Sequence, residues 1–190
     1  MLAFYALVVS AFLLAPIIIA VVLSFSSVEQ LLFPPPGLSL KWYVAAWEND
    51  KFLSGFGVSV AIAAISSVAA GVAGTLAAVA LNNYRFAGRA AMRALIVVPL
   101  VVPTIVIGLG LLQGFSRVGV GPGIFAASLG HAVIGIPYVT YLVLASMSNY
   151  DVRLDDASVT LGASRVVTFF RITLPLIRPG VIAGVAFAFL

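Results

Sequence analysis

Apolar residues run through this chain in long unbroken stretches, without the alternation of a half-buried strand or the three-to-four spacing of a surface helix. Met1 to Val28, Phe52 to Tyr84, Ala94 to Ser116 and Val118 to Tyr150 each contain no Asp, Glu, Lys or Arg. About 20 apolar residues cross a bilayer as a helix, so the pattern predicts an all-α polytopic membrane protein with spans near 3–24, 56–81, 94–115 and 124–147. A fifth apolar run, 180–190, extends only about 16 Å, roughly half of a hydrocarbon core. The expectation is a single transmembrane domain over 1–190 whose fifth helix is cut by the end of the chain. The first run lacks the basic n-region and short h-region of a cleaved signal, and reads as a permanent span.

The segments between the spans carry the punctuation. After the first span, Pro34-Pro35-Pro36-Gly37 forms a turn, and LKWYVAAWEND then reads as a short helix whose Trp42, Tyr43 and Trp47 suit the headgroup layer. The second span is rich in Ala, Gly and Ser. Its pairs Ser67 with Gly71 and Ala70 with Gly74 allow close approach of another helix. Pro99 and Pro103 predict a kink within the third span, and Pro137 lies in the fourth.

Composition sharpens the class. Of 190 residues, 63% are hydrophobic and 8% charged, against roughly 25% charged in soluble domains. The absence of cysteine excludes disulfides, thiolate metal sites and a cysteine nucleophile. The formal charge of +4 resolves by loop. Arg85, Arg89, Arg93, Arg153, Arg165, Arg171 and Arg178 follow the second and fourth spans, whereas Lys41, Lys51 and Arg117 lie in the alternate loops. Because cytoplasmic loops carry the excess of Lys and Arg, the amino terminus is expected in the cytoplasm, as is the long loop 148–179. The basic balance follows this topology and forms no aromatic-interleaved stripe for nucleic acid.

Enzyme chemistry finds little support. There is no G-x-x-x-x-G-K-[ST] phosphate loop, and both lysines, Lys41 and Lys51, fall in the predicted external loop. No G-x-S-x-G accompanies the Ser128 and His131 pair. His131 is the one ionisable residue of the His, Asp, Glu, Lys and Arg group inside a predicted span, about two turns from its outer end. One reading makes it a cavity-lining group on a translocation path with Gln113, Tyr138 and Tyr141. The other makes it a neutral histidine hydrogen-bonded to a neighbouring helix. No catalytic residue or metal site is expected.

The loop 148–179 is amphipathic and too long for a hairpin turn. Asp151 can cap a helix beginning near Val152 that runs through Asp155, Asp156, Ala157 and Ser158, with Gly162 as its left-handed end. A second helix is expected from Ser164, ended by Pro175 and Pro179. Physical reasoning alone allows a hairpin lying on the headgroups or a docking site for another protein.

The run Asp156-Ala157-Ser158, three residues, Gly162, nine residues, then Ile172-Thr173-Leu174-Pro175 resembles the EAA loop of binding-protein-dependent ABC importer permeases. Asp156 stands for the family's Glu and Ser158 for its second Ala, preserving charge and size. FPPPGLSLKWY, NNYRFAGRA, VVPLVVPTIVIGLGL and GHAVIGIPYVTYLV further resemble the spermidine/putrescine permease C branch. The resemblance implies a six-helix permease core, truncated here within the fifth helix. It also implies a membrane dimer, here with a homologous second permease subunit, and an extracytoplasmic solute-binding protein. Cytoplasmic ATPase subunits would carry the ATP and Mg, with no cofactor on this chain. Asp155, Asp156, Ala157, Ser158, Gly162, Ile172, Leu174 and Pro175 would form the coupling helix and its flank, docked on the ATPase. Alternatives are an importer for ferric iron, thiamine or aminophosphonate, or a secondary transporter or channel.

Overall fold

The computed structural model describes residues 1–148, 151 and 153–190, and these divide into two compact units, 1–57 and 58–190. In the first unit, helix α1 (Leu2–Ser24) is apolar on every side and long enough to cross a bilayer. The short helix α2 (Lys41–Trp47) folds back on the end of α1. Trp42 Nε1 donates to the carbonyl of Ser26 at 2.9 Å, the Tyr43 hydroxyl meets Ser24 Oγ at 2.6 Å, and the Tyr43 ring lies against Phe25. The expected aromatic helix is therefore present, held by the polar edges of its own rings.

Helix α3 (Asp50–Asn83) begins in the first unit and continues through the second. The second unit is completed by α4 (Arg89–Val101), α5 (Thr104–Arg117), α6 (Ile124–Met147), α7 (Arg153–Thr160), α8 (Arg165–Thr168), a π-helical turn (Phe169–Thr173) and α9 (Leu174–Phe189). Its core is a three-helix wedge built on small residues. A β-carbon on Gly74 of α3 would stand 2.7 Å from Val139 Cβ, and one on Gly180 of α9 would stand 2.6 Å from Ser146 Cβ, both on α6. Gly184 meets Val139 in the same way, and Gly135 of α6 faces both Ala70 and Ala188. These pairings run α3 parallel to α6 and α9 antiparallel to it. Ala70, Ala78, Val139, Val143, Met147 and Ile177 fill the seam. Backbones come this close only where side chains are absent, which is how helices associate when lipid removes the hydrophobic drive. The pairs Ser67 with Gly71 and Ala70 with Gly74 are indeed buried here.

Two sequence expectations require correction. The stretch 94–115 has its kink at Pro103, as expected, but it is two helices and not one: α4 and α5 are bent by 113° at Val102-Pro103. Val102 adopts φ −77°, ψ 132°, the extended conformation that a following proline imposes, and the α4 helix stops there. At about 20 Å each, neither α4 nor α5 crosses a hydrocarbon core by itself. The pair nonetheless carries the chain from one end of the bundle to the other. Asn83 at the end of α3 hydrogen-bonds Asp155 beyond the end of the parallel helix α6, so both ends lie on one side and the segment between them must return to the other.

The second correction concerns Pro175 and Pro179, which end nothing. Arg165–Phe189 is one helical rod. Pro175 has no N–H to donate to Arg171 and its ring crowds that carbonyl. The preceding turn widens to π geometry over Phe169–Thr173 and absorbs the conflict. The apolar run from 180 is therefore the far part of a helix that starts fifteen residues earlier, at Arg165.

Candidate functional site

The loop after α6 is a compact helical hairpin. Asp151 Oδ1 accepts from the Arg153 N–H at 3.0 Å, capping the first turn of α7, while Val152, where the helix was expected to begin, lies outside the described residues. Asp155 and Asp156 occupy that first turn, where the helix dipole favours negative charge. Leu161, Gly162 and Ala163 N–H groups bond the carbonyls of Ala157, Val159 and Ser158. Gly162 has φ +92°, the left-handed conformation that closes a helix at little cost only in glycine. Ser164 then caps α8 by accepting from Val167 N–H at 3.3 Å, as the sequence predicts.

Within the hairpin the predicted coupling residues divide into two groups. Asp156 and Ala157 are exposed on the outer face of α7. Asp155 and Ser158 turn inward. Ser158 Oγ meets Thr168 Oγ1 at 3.0 Å, pinning α7 to α8. Asp155 Oδ1 accepts from Thr173 Oγ1 at 2.8 Å and Oδ2 accepts from Asn83 Nδ2 at 3.1 Å. Asp155, expected to face a partner alongside Asp156, has its carboxylate engaged within the chain. Ile172 and Leu174 are half-buried, Leu174 against the core, and Pro175 is exposed in the first turn of α9.

Asn83 and Thr173 escaped sequence reasoning because nothing distinguishes them from other polar residues near helix ends. Arg165 stands over the Tyr84 ring at 5.8 Å. Arg89 reaches back to bond the Leu81 carbonyl, capping the end of α3.

His131 is exposed on α6, one turn before Gly135, where it borders two grooves. The first, of about 380 Å³, separates α5 from α6 and is lined by Ile107, Gly108, Leu111, Phe115, Gly130 and Ile134 among others. The second, of about 340 Å³, lies between α3, α6 and the last residues of α9 and adds Ser59 and Ser66. Tyr138 is two turns along the same face and stacks on Phe187 with ring centroids 4.7 Å apart. Tyr141 is exposed beyond it, and Gln113 is exposed on α5. Of the four residues expected together on a path, only His131 lines these grooves.

Apolar helices packed through glycine, with an amphipathic hairpin turned back at one end of the bundle, define a multi-pass membrane protein. Residues 70–190 match the family described as "Binding-protein-dependent transport system inner membrane component". The chain belongs to that family and is a multi-pass inner-membrane protein. It is 35% identical over 177 residues to the spermidine/putrescine transport system permease protein PotC of Haemophilus influenzae, covering 93% of this chain and 68% of that relative. It is 34% identical over 185 residues to the putrescine transport system permease protein PotI of Escherichia coli K12, covering 94% and 66%. The chain thus spans about two thirds of the length of these relatives. Its fold is shared with the crystal structure of a bacterial ABC transporter involved in the import of the acidic polysaccharide alginate, with a TM-score of 0.69 over 98% of this chain and 71% of the other, at 15% identity.

Proposed function

We propose that this chain is a permease subunit of an ATP-driven importer that moves a polyamine across the inner membrane. The observation that carries the solute class is the level of identity, about a third over nearly the whole chain, to permeases named for spermidine and putrescine. In this reading ATP and Mg bind separate cytoplasmic ATPase subunits, and an extracytoplasmic solute-binding protein delivers the solute. A homologous second permease completes the pathway. The excess of arginines in the α3–α4 loop and in the hairpin supports a cytoplasmic amino terminus and a cytoplasmic hairpin.

The hairpin is the coupling element. Its exposed residues Asp156 and Ala157 offer one carboxylate and one small side chain to a groove on the ATPase, while Gly162 and the Ser164 cap set the angle at which α7 is presented. The rod that follows α8 runs without a break into the membrane, so a displacement of the hairpin moves a span with it. In this reading His131, which borders two grooves on α6, is a contact for the solute. In its uncharged form an imidazole accepts a hydrogen bond from an ammonium group, whereas in its charged form it repels one.

The test is reconstitution of the full-length permease pair in proteoliposomes with its ATPase and binding protein. Putrescine or spermidine accumulation that requires ATP and the ATPase is the expected result. Accumulation by the permeases alone, driven by a proton or sodium gradient, would establish a secondary carrier, and ATP-driven uptake of sulfate or ferric iron in place of a polyamine would move the solute assignment.

A further inference from the structure

We propose that Asp155 is a positioning residue that clamps the coupling helix to two membrane spans at once, and that this clamp, rather than contact with the ATPase, is its contribution to transport. The proposal rests on the coupling role given above to the hairpin. Asp155 lies in the first turn of α7, Asn83 is the last residue of α3, and Thr173 closes the π turn that leads into α9. One carboxylate therefore joins three elements, through bonds to residues 72 and 18 positions away in sequence.

The chemistry at the junction calls for a carboxylate. Asn82 Nδ2 donates to Asn83 Oδ1 at 2.8 Å, which occupies the Asn83 oxygen and leaves its NH₂ group aimed at Asp155. Thr173, 2% exposed, brings a second donor to the other oxygen. Asp155 thus meets two donors with two acceptors, the pattern an ionised carboxyl satisfies and an amide does not. Among the described residues the other side-chain tie of α7 to a neighbouring element, Ser158 to Thr168, reaches the rod at α8 and does not reach α3. Without Asp155, α7 could follow the ATPase while α3 stayed behind.

This predicts a specific failure. In the reconstituted transporter, Asp155→Asn and Asp155→Leu should leave ATPase co-purification unchanged while ATP hydrolysed per polyamine transported rises severalfold. In the purified permease pair, amide exchange over the π turn should quicken about tenfold, the factor that losing one charge-assisted hydrogen bond allows. The paired change Asp155→Asn with Asn83→Asp restores both bonds, since the new amide donates to the new carboxylate and still accepts from Thr173. It should recover both the exchange rate and the transport stoichiometry. Loss of ATPase co-purification in Asp155→Asn, not cured by adding Asn83→Asp, would show that Asp155 faces the partner and would overturn the proposal. Faster exchange with unchanged stoichiometry would overturn it equally, as would unchanged exchange. The coupling role of the hairpin is judged separately, by Gly162→Val. If that variant assembles and transports normally the coupling role fails, and with it the transport part of this proposal, while the exchange measurement on the permease pair still decides whether the clamp exists.

Discussion

A β-carbon at Gly162 would meet no heavy atom within 4 Å, so the need for glycine there comes from φ +92° and from no lack of room. Substitution therefore acts through backbone conformation alone. An L-residue in the left-handed region costs about 1–2 kcal/mol, least for Asn and most for a β-branched residue. The expected order of transport at equal membrane abundance is Gly162, then Gly162→Asn, then Gly162→Val, with ATPase co-purification falling in the same order. Normal assembly and transport by the Val variant would return the hairpin to a role on the lipid headgroups. Gly162 and Ser164 were readable in the sequence because both act on their own neighbours, through a left-handed turn and an i to i+3 cap. Asp155 was not. Its neighbours in sequence place it in a first helical turn, where it passes for a capping or docking acid, and only the fold reveals the donors on Asn83 and Thr173.

At the scale of elements, proline explains both disagreements between pattern and structure, with opposite outcomes. Pro103 follows Val102 and forces it into extended conformation, giving the 113° bend. Pro175 follows Thr173-Leu174 within a helix that survives by widening to π geometry. The residue type is the same in each case. The difference lies in packing: Thr173 is held by Asp155 and Ile177 is fully buried in the wedge, whereas Val102 and Thr104, which flank the bend, lack such anchors and Val101 is 75% exposed. The bend can be measured. Spin labels at Ala90 and Ser116 would stand about 39 Å apart on a straight helix, at 1.5 Å per residue. Bent as described they should lie near 22 Å, by the same rise along each arm. A single distribution close to the longer value would show an unbroken straight helix and contradict the bend.

At the scale of the whole molecule, the helical class and the limits of the helices Leu2–Ser24 and Ile124–Met147 were legible to within a residue, because an uncharged apolar run is a local property of the chain. Side of the membrane is a global property, and here charge and structure supply independent handles on it. The chain has no cysteine, so single cysteines at Gln30, Ala90 and Leu161 can be probed in intact cells with an impermeant thiol reagent. Labelling at Gln30 alone is expected. Ala90 and Leu161 should behave alike in any case, because the bond between Asn83 and Asp155 puts their segments on one side. Labelling at one and not the other would contradict the fold, and labelling at both would invert the orientation. The glycine contact of α9 on α6 has a mechanical consequence beyond adhesion. Gly180 is the point of tightest approach, about 23 Å along the rod from its start at Arg165. A stiff bar resting on such a fulcrum pivots about it. A push on the hairpin end of such a bar arrives beyond Gly180 reversed in direction, so the contact that holds α9 to α6 also turns one motion into its opposite.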